Sequence, residues 1–339
     1  HRPHDPHPCT ADILNATNGG DVSDPDPAPD EHGVLAAAGG GPELRLIAAR
    51  DVPLGGVRAM SVSRTLPERS LSTVGAWCFL DEAGPAEHLT RVLPHPHIGL
   101  QTVSWLLQGS IEHRDTVGSV VAIEPGQLNL MTSGAGIAHS EFTPGETAEV
   151  VHLLQLWIAL PESARHGAPQ FEQHVDLPIV TGDRWAATVI IGAFSGAVSP
   201  ATVFSPLVGV ELRLEPGATV AVPLRSDFEH AVLVPRGELL IESLTVGPGP
   251  LASLGMGRSS ITVTAGPDGA TALLIGGAPL SEDLLMWWNF VGRDHDEIVA
   301  ARDAWEAHSP RFGEVPGHAG ARIPAPPLPA IRLVPRHRR

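Results

Sequence analysis

Two histidines one residue apart lie in an otherwise apolar segment, PHPHIGLQTVSWLLQG, which spans residues 94–109. Alternate residues of a β-strand face the same side, so His95 and His97 should project together, with their Cβ atoms roughly 7 Å apart. A second pair with the same spacing, His139 and Glu141, occurs downstream in GIAHSE. Three imidazoles and one carboxylate form a donor set that suits a divalent transition metal.

The two pairs have two interpretations. Each histidine could be a core residue with a backbone partner, but two such pairs in apolar strands of one domain favour a metal site. If both pairs face one barrel interior, one or two coordination positions stay open for water, dioxygen or substrate. The neutral imidazoles leave most of the metal charge uncompensated, which should attract an anionic ligand. We expect Trp105, Leu107 and Met131 to form an apolar shell around this site.

Charge and hydropathy narrow the classes of function. The formal net charge is -16, and all 22 basic residues are arginines. Binding to nucleic-acid phosphates requires a basic surface, so we expect no direct nucleic-acid partner and interpret the tail RLVPRHRR as a solvated end. The sequence has no run of about 18 apolar residues and no signal-peptide pattern, which predicts a cytoplasmic protein without a membrane partner.

Other catalytic and structural chemistries find no support in the sequence. Cys9 lies in a Pro- and Asp-rich segment, so we expect no structural disulfide with Cys78. The sequence has no CxxC pair for structural zinc, and TSGAG is not a nucleophile elbow, which makes Ser133 a poor nucleophile candidate.

The chain length and the turn signals predict an all-β protein with two domains. Short apolar alternating runs, each closed by Gly, Pro or Asp, are typical of sandwiches and barrels. The segment EHAVLVPRGELLIES resembles QTVSWLLQGSIEHRD in shape, with a strand, a glycine at a hairpin turn and a returning strand, which suggests two similar barrels. The predicted organisation is a disordered segment 1–41, a first barrel 42–160, a connector 161–185, a second barrel 186–313 and an extended tail 314–339.

One helix is predicted near the end of the second barrel, over residues 294–307. Asp294, Asp296 and Glu297 occur in its first turn, where the helix dipole favours negative charge.

The N-terminal half carries the long motifs HPHIGLQTVSWLLQGSIEHRDTVGS, EPGQLNLMTSGAGIAHSE and LQLWIALP, preceded by VGAWCFLDEAGP. These motifs resemble the pirin family, whose members are two-domain proteins of the cupin superfamily. The later motif GGAPLSEDLLMWWNFVGR resembles the family's C-terminal domain, so the resemblance spans roughly residues 42–313.

The resemblance implies two tandem cupin domains, which are jelly-roll β-barrels, with an iron site in the N-terminal barrel only. The family's three histidines and one glutamate fall on His95, His97, His139 and Glu141. Fe(II) is the implied metal, although Mn, Ni, Cu and Zn suit the same donors.

The sequence departs from the family pattern at two positions. Gln101 stands where the family usually has a glutamate close to the metal, and Glu82 stands where a histidine often follows Asp81. Both departures concern the identity of the substrate more than metal binding.

Three further histidines are candidates for the site. His113 could point near the pocket, but we favour a surface turn position for it. His152 is open between a core position and a position behind the ligands. His230 stands without an HxH or His-x-Glu pair, which indicates a metal-free, structural second barrel.

Two functions are compatible with this site. The first is an Fe(II)-dependent dioxygenase for quercetin-type flavonols or related enols, because some pirins resemble quercetin 2,3-dioxygenases; Glu141 would then be both ligand and catalytic base. The alternative is a non-enzymatic, iron-dependent redox sensor that binds a protein partner, which the acidic charge would suit. A metal-free small-molecule barrel conflicts with the four donors.

Overall fold

The computed structural model describes residues 32–34, 40–54 and 60–335. Most of the predicted disordered segment, including Cys9, lies outside the described residues, as do the last four residues of the tail.

The described residues form β-strands over most of their length. In chain order the strands of the first half are β1 (His32–Val34), β2 (Pro42–Ile47), β3 (Arg50–Leu54), β4 (Met60–Leu66), β5 (Trp77–His88), β6 (Arg91–His97), β7 (Leu100–Gln108), β8 (Ile111–Asp115), β9 (Val120–Ile123), β10 (Leu128–Thr132), β11 (Ile137–Phe142), β12 (Glu149–Ala159) and β13 (Gln170–His174). Those of the second half are β14 (Ile179–Gly182), β15 (Trp185–Phe194), β16 (Ala197–Val198), β17 (Leu207–Leu214), β18 (Thr219–Pro223), β19 (Glu229–Ile241), β20 (Leu244–Val246), β21 (Leu251–Gly255), β22 (Ser260–Gly277), β23 (Leu284–Trp287) and β24 (Phe290–Gly292), and helix α1 (His295–Glu306) follows them.

Most of the strands form two antiparallel barrels in succession, and β1, β23 and β24 form a separate three-stranded sheet. In the first barrel, a seven-stranded sheet in the order β13-β10-β7-β12-β5-β4-β3 packs against a four-stranded sheet in the order β6-β11-β8-β9. The second barrel is a ten-stranded sheet whose main path is β14-β15-β17-β22-β19-β21-β2. This architecture confirms the predicted class, an all-β protein of two tandem cupin barrels with a short C-terminal helix.

The first predicted strand, ELRLIAARDV, divides between the two barrels. Strand β2 pairs with β21 of the second barrel, whereas β3 pairs with β4 of the first. Leu44 packs on the core of the second barrel, and Ile47 packs between the barrels. The predicted connector is also divided, because β13 pairs with β10 and β14 pairs with β15.

The prediction that Gly109 and Gly237 form hairpin turns is wrong. Strand β7 pairs with β10 and β12, whereas β8 pairs with β9 and β11, so the chain crosses between sheets at Gly109. The matching Gly237 lies inside the continuous strand β19, where bulges interrupt its register with β22. A Cβ atom at Gly237 would lie 2.1 Å from the carbonyl oxygen of Gly269, so only glycine fits this bend.

The helix prediction is confirmed to within one residue at each end. Asp294 is the N-cap rather than a first-turn residue, and its side chain accepts a hydrogen bond of 2.9 Å from the main-chain N–H of Glu297.

The described part of the tail contains no further helix or strand. Its residues Val315, Ala325 and Leu333 join a buried cluster with helix residues such as Trp305. None of the helices among the described residues is long and apolar enough to cross a membrane.

An apolar core joins the two barrels. Val103, Leu154 and Leu156 of the first barrel pack there with apolar residues of the second, such as Leu233. Within this core the indole N–H of Trp105 donates a 2.7 Å hydrogen bond to the buried carboxylate of Glu211 in β17.

We expect Trp105→Phe to lower the free energy of unfolding by about 1.5–3 kcal/mol, because the buried Glu211 carboxylate loses a charge-assisted hydrogen bond. Chemical denaturation measures this change. The same substitution at the half-buried Trp185 is the matched control and should cost less. Equal losses for the two variants would contradict a specific role for the Trp105–Glu211 contact.

The interior of the second barrel is apolar and contains one notable titratable group. Valine side chains such as Val189, Val210 and Val232 dominate this core. His230 is buried at the beginning of β19, and burial lowers the pKa of its imidazole to about 4, against the opposing effects of the Phe228 carbonyl and Asp227.

This lowered pKa predicts an acid-dependent loss of stability. The imidazole of an unfolded chain has a pKa of about 6.5, so between pH 6.5 and 4 the unfolded state binds the extra proton and stability falls as the pH falls. Denaturation curves at pH 7 and pH 4 should show that His230→Gln removes up to roughly 3 kcal/mol of this loss. His166 is exposed, so the control variant His166→Gln should lose as much stability between pH 7 and pH 4 as the wild-type protein does. An unchanged pH dependence in His230→Gln would contradict the assignment.

Candidate metal centre

Two neighbouring strands carry the candidate ligands on one face. In the antiparallel pair of β6 and β11, His139 lies opposite His95, and Ile137 lies opposite His97. Side chains of directly opposite residues point to the same face, so all three imidazoles project into the first barrel. Pro94 precedes His95 and Pro96 separates the two histidines; both prolines are tolerated because β6 is an edge strand of its sheet.

The three imidazoles converge on one point. Ligand-capable nitrogens of His95, His97 and His139 all lie within 4.8 Å of one another, and within the described part of the chain no other set of three His, Cys, Asp or Glu residues does so. The Nε2 atoms of His97 and His139 are 3.1 Å apart. Two nitrogens bound to one metal at about 2.1 Å, at angles of roughly 90–109°, lie about 3.0–3.4 Å apart. This spacing fits two neighbouring ligands of a single ion.

Glu141 lies on the same face but outside that group of nitrogens. Both its carboxylate oxygens are buried without a hydrogen-bond partner among the described residues. Burial raises the pKa of this carboxyl to about 7. An unpaired buried carboxylate is costly, and a nearby cation would offset that cost. The donors at this site therefore fit a divalent metal ion.

Burial keeps the three imidazoles neutral. Desolvation lowers the pKa of His95 to about 4 and those of His97 and His139 well below the ordinary value, and the neighbouring histidines add to the effect. A neutral imidazole has the free lone pair that a metal requires. The site is therefore in its metal-binding protonation state at neutral pH.

The aromatic surroundings of the site differ from the predicted ones. Trp157 approaches His97 edge to face, with 5.5 Å between ring centroids, and Phe79 stacks on Trp157 at 4.1 Å. Trp105 and Leu107 do not line the site, because their face of β7 packs in the core between the barrels.

His113 is buried and belongs to the site, so its interpretation as a surface residue is wrong. Its Nδ1 is 3.3 Å from Nδ1 of His139, and its Nε2 is 2.9 Å from the Asp115 carboxylate. The ring of Phe171 stacks on it at 4.5 Å. A signal was present in the sequence, since His113 and Asp115 repeat the one-residue spacing of the two ligand pairs.

The residues that depart from the family pattern make their own contacts. Glu82 accepts a hydrogen bond of 2.7 Å from Nε2 of the fully buried His152. The amide of Gln101 donates to the Thr132 hydroxyl at 2.9 Å and to the Thr202 carbonyl at 3.2 Å. Gln101 shares its strand face with Val103 and Trp105, which turns it towards the second barrel.

The outer face of the ligand strands is covered by the C-terminal tail. Ser140 points away from the site, as the alternation predicts, and its hydroxyl contacts Nε2 of His318 at 2.8 Å. The main-chain N–H of Ile323 donates to the carbonyl of Pro94 at 2.9 Å. These contacts hold β6 and β11 from the side opposite the histidines.

Comparisons with known proteins agree with this fold and site. The family model described as Pirin matches residues 58–158, and the one described as Pirin C-terminal cupin domain matches residues 209–313. The chain is 43% identical over 290 residues to the "Putative quercetin 2,3-dioxygenase PA1205" of Pseudomonas aeruginosa, covering 84% of this chain and 91% of the relative. It is 32% identical over 214 residues to the Pirin of Homo sapiens, covering 61% and 73% of the two chains.

A solved structure, that of Quercetin 2,3-dioxygenase from Acinetobacter baumannii, matches with a TM-score of 0.80 at 39% identity and covers 85% of this chain and 96% of that one. The two family models and the identity over most of the chain show that this protein belongs to the pirin family.

Proposed function

We propose that this protein is a metal-dependent dioxygenase that acts on quercetin-type flavonols or related enols, with Fe(II) as its metal. The observation that carries the proposal is the group of three converging neutral imidazoles and, on the same face of the barrel, a buried carboxylate that has no hydrogen-bond partner among the described residues. The names of the similar proteins from Pseudomonas aeruginosa and Acinetobacter baumannii support the choice of reaction.

We assign the ligand roles to His95, His97, His139 and Glu141. Three neutral imidazoles and one carboxylate leave a net positive charge on a divalent ion, which favours an anionic enolate as the substrate. When bound, iron supplies the one-electron chemistry that a reaction with dioxygen requires. Mn, Ni, Cu and Zn suit the same donors, so the bound metal has to be measured.

Glu141 is also our candidate base. It is the only carboxylate in the proposed ligand set, and to accept a proton from a substrate hydroxyl it would have to leave the metal, since burial raises the pKa of its carboxyl to about 7 only without the ion. The interior strand β12 adds two candidate binding groups, the indole N–H of Trp157 and the side-chain NH₂ of Gln155, which are buried without partners among the described residues. Both are donors suited to substrate oxygens.

Metal binding is the first prediction of this proposal. Anaerobic dialysis against Fe(II), followed by metal analysis, should find one ion per chain in the wild-type protein and none in His97→Ala, which lacks one of the three converging nitrogens. Glu141→Gln should lower the affinity at least about tenfold, because the amide carries no charge. His166→Ala, which removes an exposed histidine, should bind like the wild type. Absence of metal from the wild-type protein would refute the site, and wild-type affinity in Glu141→Gln would remove Glu141 from the ligand set.

Catalysis is the second prediction. Iron-loaded protein mixed with quercetin and air should consume dioxygen in step with flavonol loss, while His97→Ala consumes none and His166→Ala reacts like the wild type. An oxygen electrode and the flavonol absorbance measure both quantities. One bound iron per chain without dioxygen uptake would contradict the assignment to flavonols and favour an iron-dependent regulator with a protein partner.

A further inference from the structure

A chain of hydrogen-bonding groups leads from the histidine group to Asp115. The Asp115 Oδ2 lies 2.9 Å from His113 Nε2, and His113 Nδ1 lies 3.3 Å from His139 Nδ1. Strand β8 carries His113 and Asp115, which lie directly opposite Glu141 and His139 of β11. The side chains of Asp115, His113 and His139 are all buried, so water does not compete for these hydrogen bonds.

The ionised state of Asp115 sets the direction of the first hydrogen bond. An aspartic acid has an ordinary pKa of about 3.9, so this side chain is a carboxylate at neutral pH. Its Oδ1 also accepts from the main-chain N–H groups of Val117 and Ser119, each at 3.0 Å. A carboxylate can only accept, so Nε2 of His113 carries a proton and donates.

The remaining proton positions follow from this first one. An imidazole whose single ring proton is on Nε2 has a bare Nδ1, so in this tautomer Nδ1 of His113 can only accept. Nδ1 of His139 must then donate, which leaves Nε2 of His139 without a proton. That Nε2 is the atom that lies 3.1 Å from His97 Nε2.

We propose that His113 and Asp115 are positioning residues that hold His139 in the tautomer whose Nε2 is free to bind a metal. This inference rests on the proposed metal site. The stacking of Phe171 on His113 holds the imidazole in the plane that the chain of hydrogen bonds requires. Partners of this kind fix the tautomer of metal-binding histidines and typically contribute 10–100-fold in affinity.

The other two histidines are oriented differently. Nδ1 of His95 donates to the main-chain carbonyl of Leu93 at 2.9 Å, a contact that side-chain substitution leaves in place. His97 likewise has a main-chain partner, Asn289, which side-chain substitution also leaves in place. His139 is therefore the ligand whose tautomer is controlled by side chains, which makes the inference testable by substitution.

Asp115→Asn is the sharpest test because the new amide has only one suitable orientation. Its amide oxygen still accepts hydrogen bonds from the main-chain N–H groups of Val117 and Ser119, so its NH₂ group faces His113 Nε2. His113 then accepts at Nε2 and carries its proton on Nδ1, which makes His139 accept at Nδ1 and moves the His139 proton to Nε2. The variant thus keeps the fold and blocks the metal-binding nitrogen. The matched control is Glu112→Gln, the same chemical change on β8, where Glu112 is half-buried and pairs with Arg114.

The first measurement is nuclear magnetic resonance of metal-free protein with ¹⁵N-labelled histidine, which reports which ring nitrogen carries the proton. We expect the His139 proton on Nδ1 in the wild type and in Glu112→Gln, and on Nε2 in Asp115→Asn. A proton on Nε2 of His139 in the wild type overturns the inference without reference to any variant.

The second measurement is Zn²⁺ affinity by competition with a chromophoric chelator. We expect Asp115→Asn to bind about 10–100-fold more weakly than Glu112→Gln. Equal affinities overturn the positioning role while leaving the proposed metal site intact. A wild-type protein that binds neither Zn²⁺ nor Fe(II) refutes the proposed function instead, and the tautomer measurement still decides the direction of the hydrogen bonds.

Discussion

The antiparallel register between β6 and β11 is the constraint on which the rest of the site depends. It places His139 opposite His95 and sets His97 beside them, so that three nitrogens meet at one point. A slip of one residue would turn the imidazoles of one strand to the other face, because side chains alternate along a strand. The tail holds this register from outside, through Ile323 on Pro94 and His318 on Ser140.

Burial of the site has opposite effects on its two kinds of donor. It keeps the imidazoles neutral, which suits a metal, and it leaves both Glu141 carboxylate oxygens without a hydrogen-bond partner among the residues that the structure describes. Leaving polar groups unsatisfied in a barrel interior is unfavourable without a compensating partner. The buried carboxylate therefore lowers the stability of the metal-free protein, and a bound cation would offset this cost.

The two barrels differ in the polarity of their interiors. The second barrel fills its interior with valine, leucine and isoleucine, and it provides an apolar partner for the outer face of β7 and β12. The first barrel is thereby free to place polar groups inside, including Gln155 and the buried Arg64–Asp81 pair, whose Arg64 guanidinium also lies over Phe79. Phe79 in turn stacks on Trp157, which packs against His97. An apolar core between barrels thus supports a polar site within one of them.

The sequence by itself determined the all-β class, the helix that begins after Asp294, and which residues share a face within a strand. The spacing of His95 with His97 and of His139 with Glu141 follows from the two-residue period, which is a local property. Only the tertiary structure decided which strands pair and which face turns inwards. In the tertiary structure β2 pairs within the second barrel, and Gly109 and Gly237 lie at bends rather than in hairpin turns. Trp105 faces away from the site, whereas His113 is buried next to His139. These outcomes depend on partners distant along the chain, and a local pattern of apolar residues carries no information about those partners.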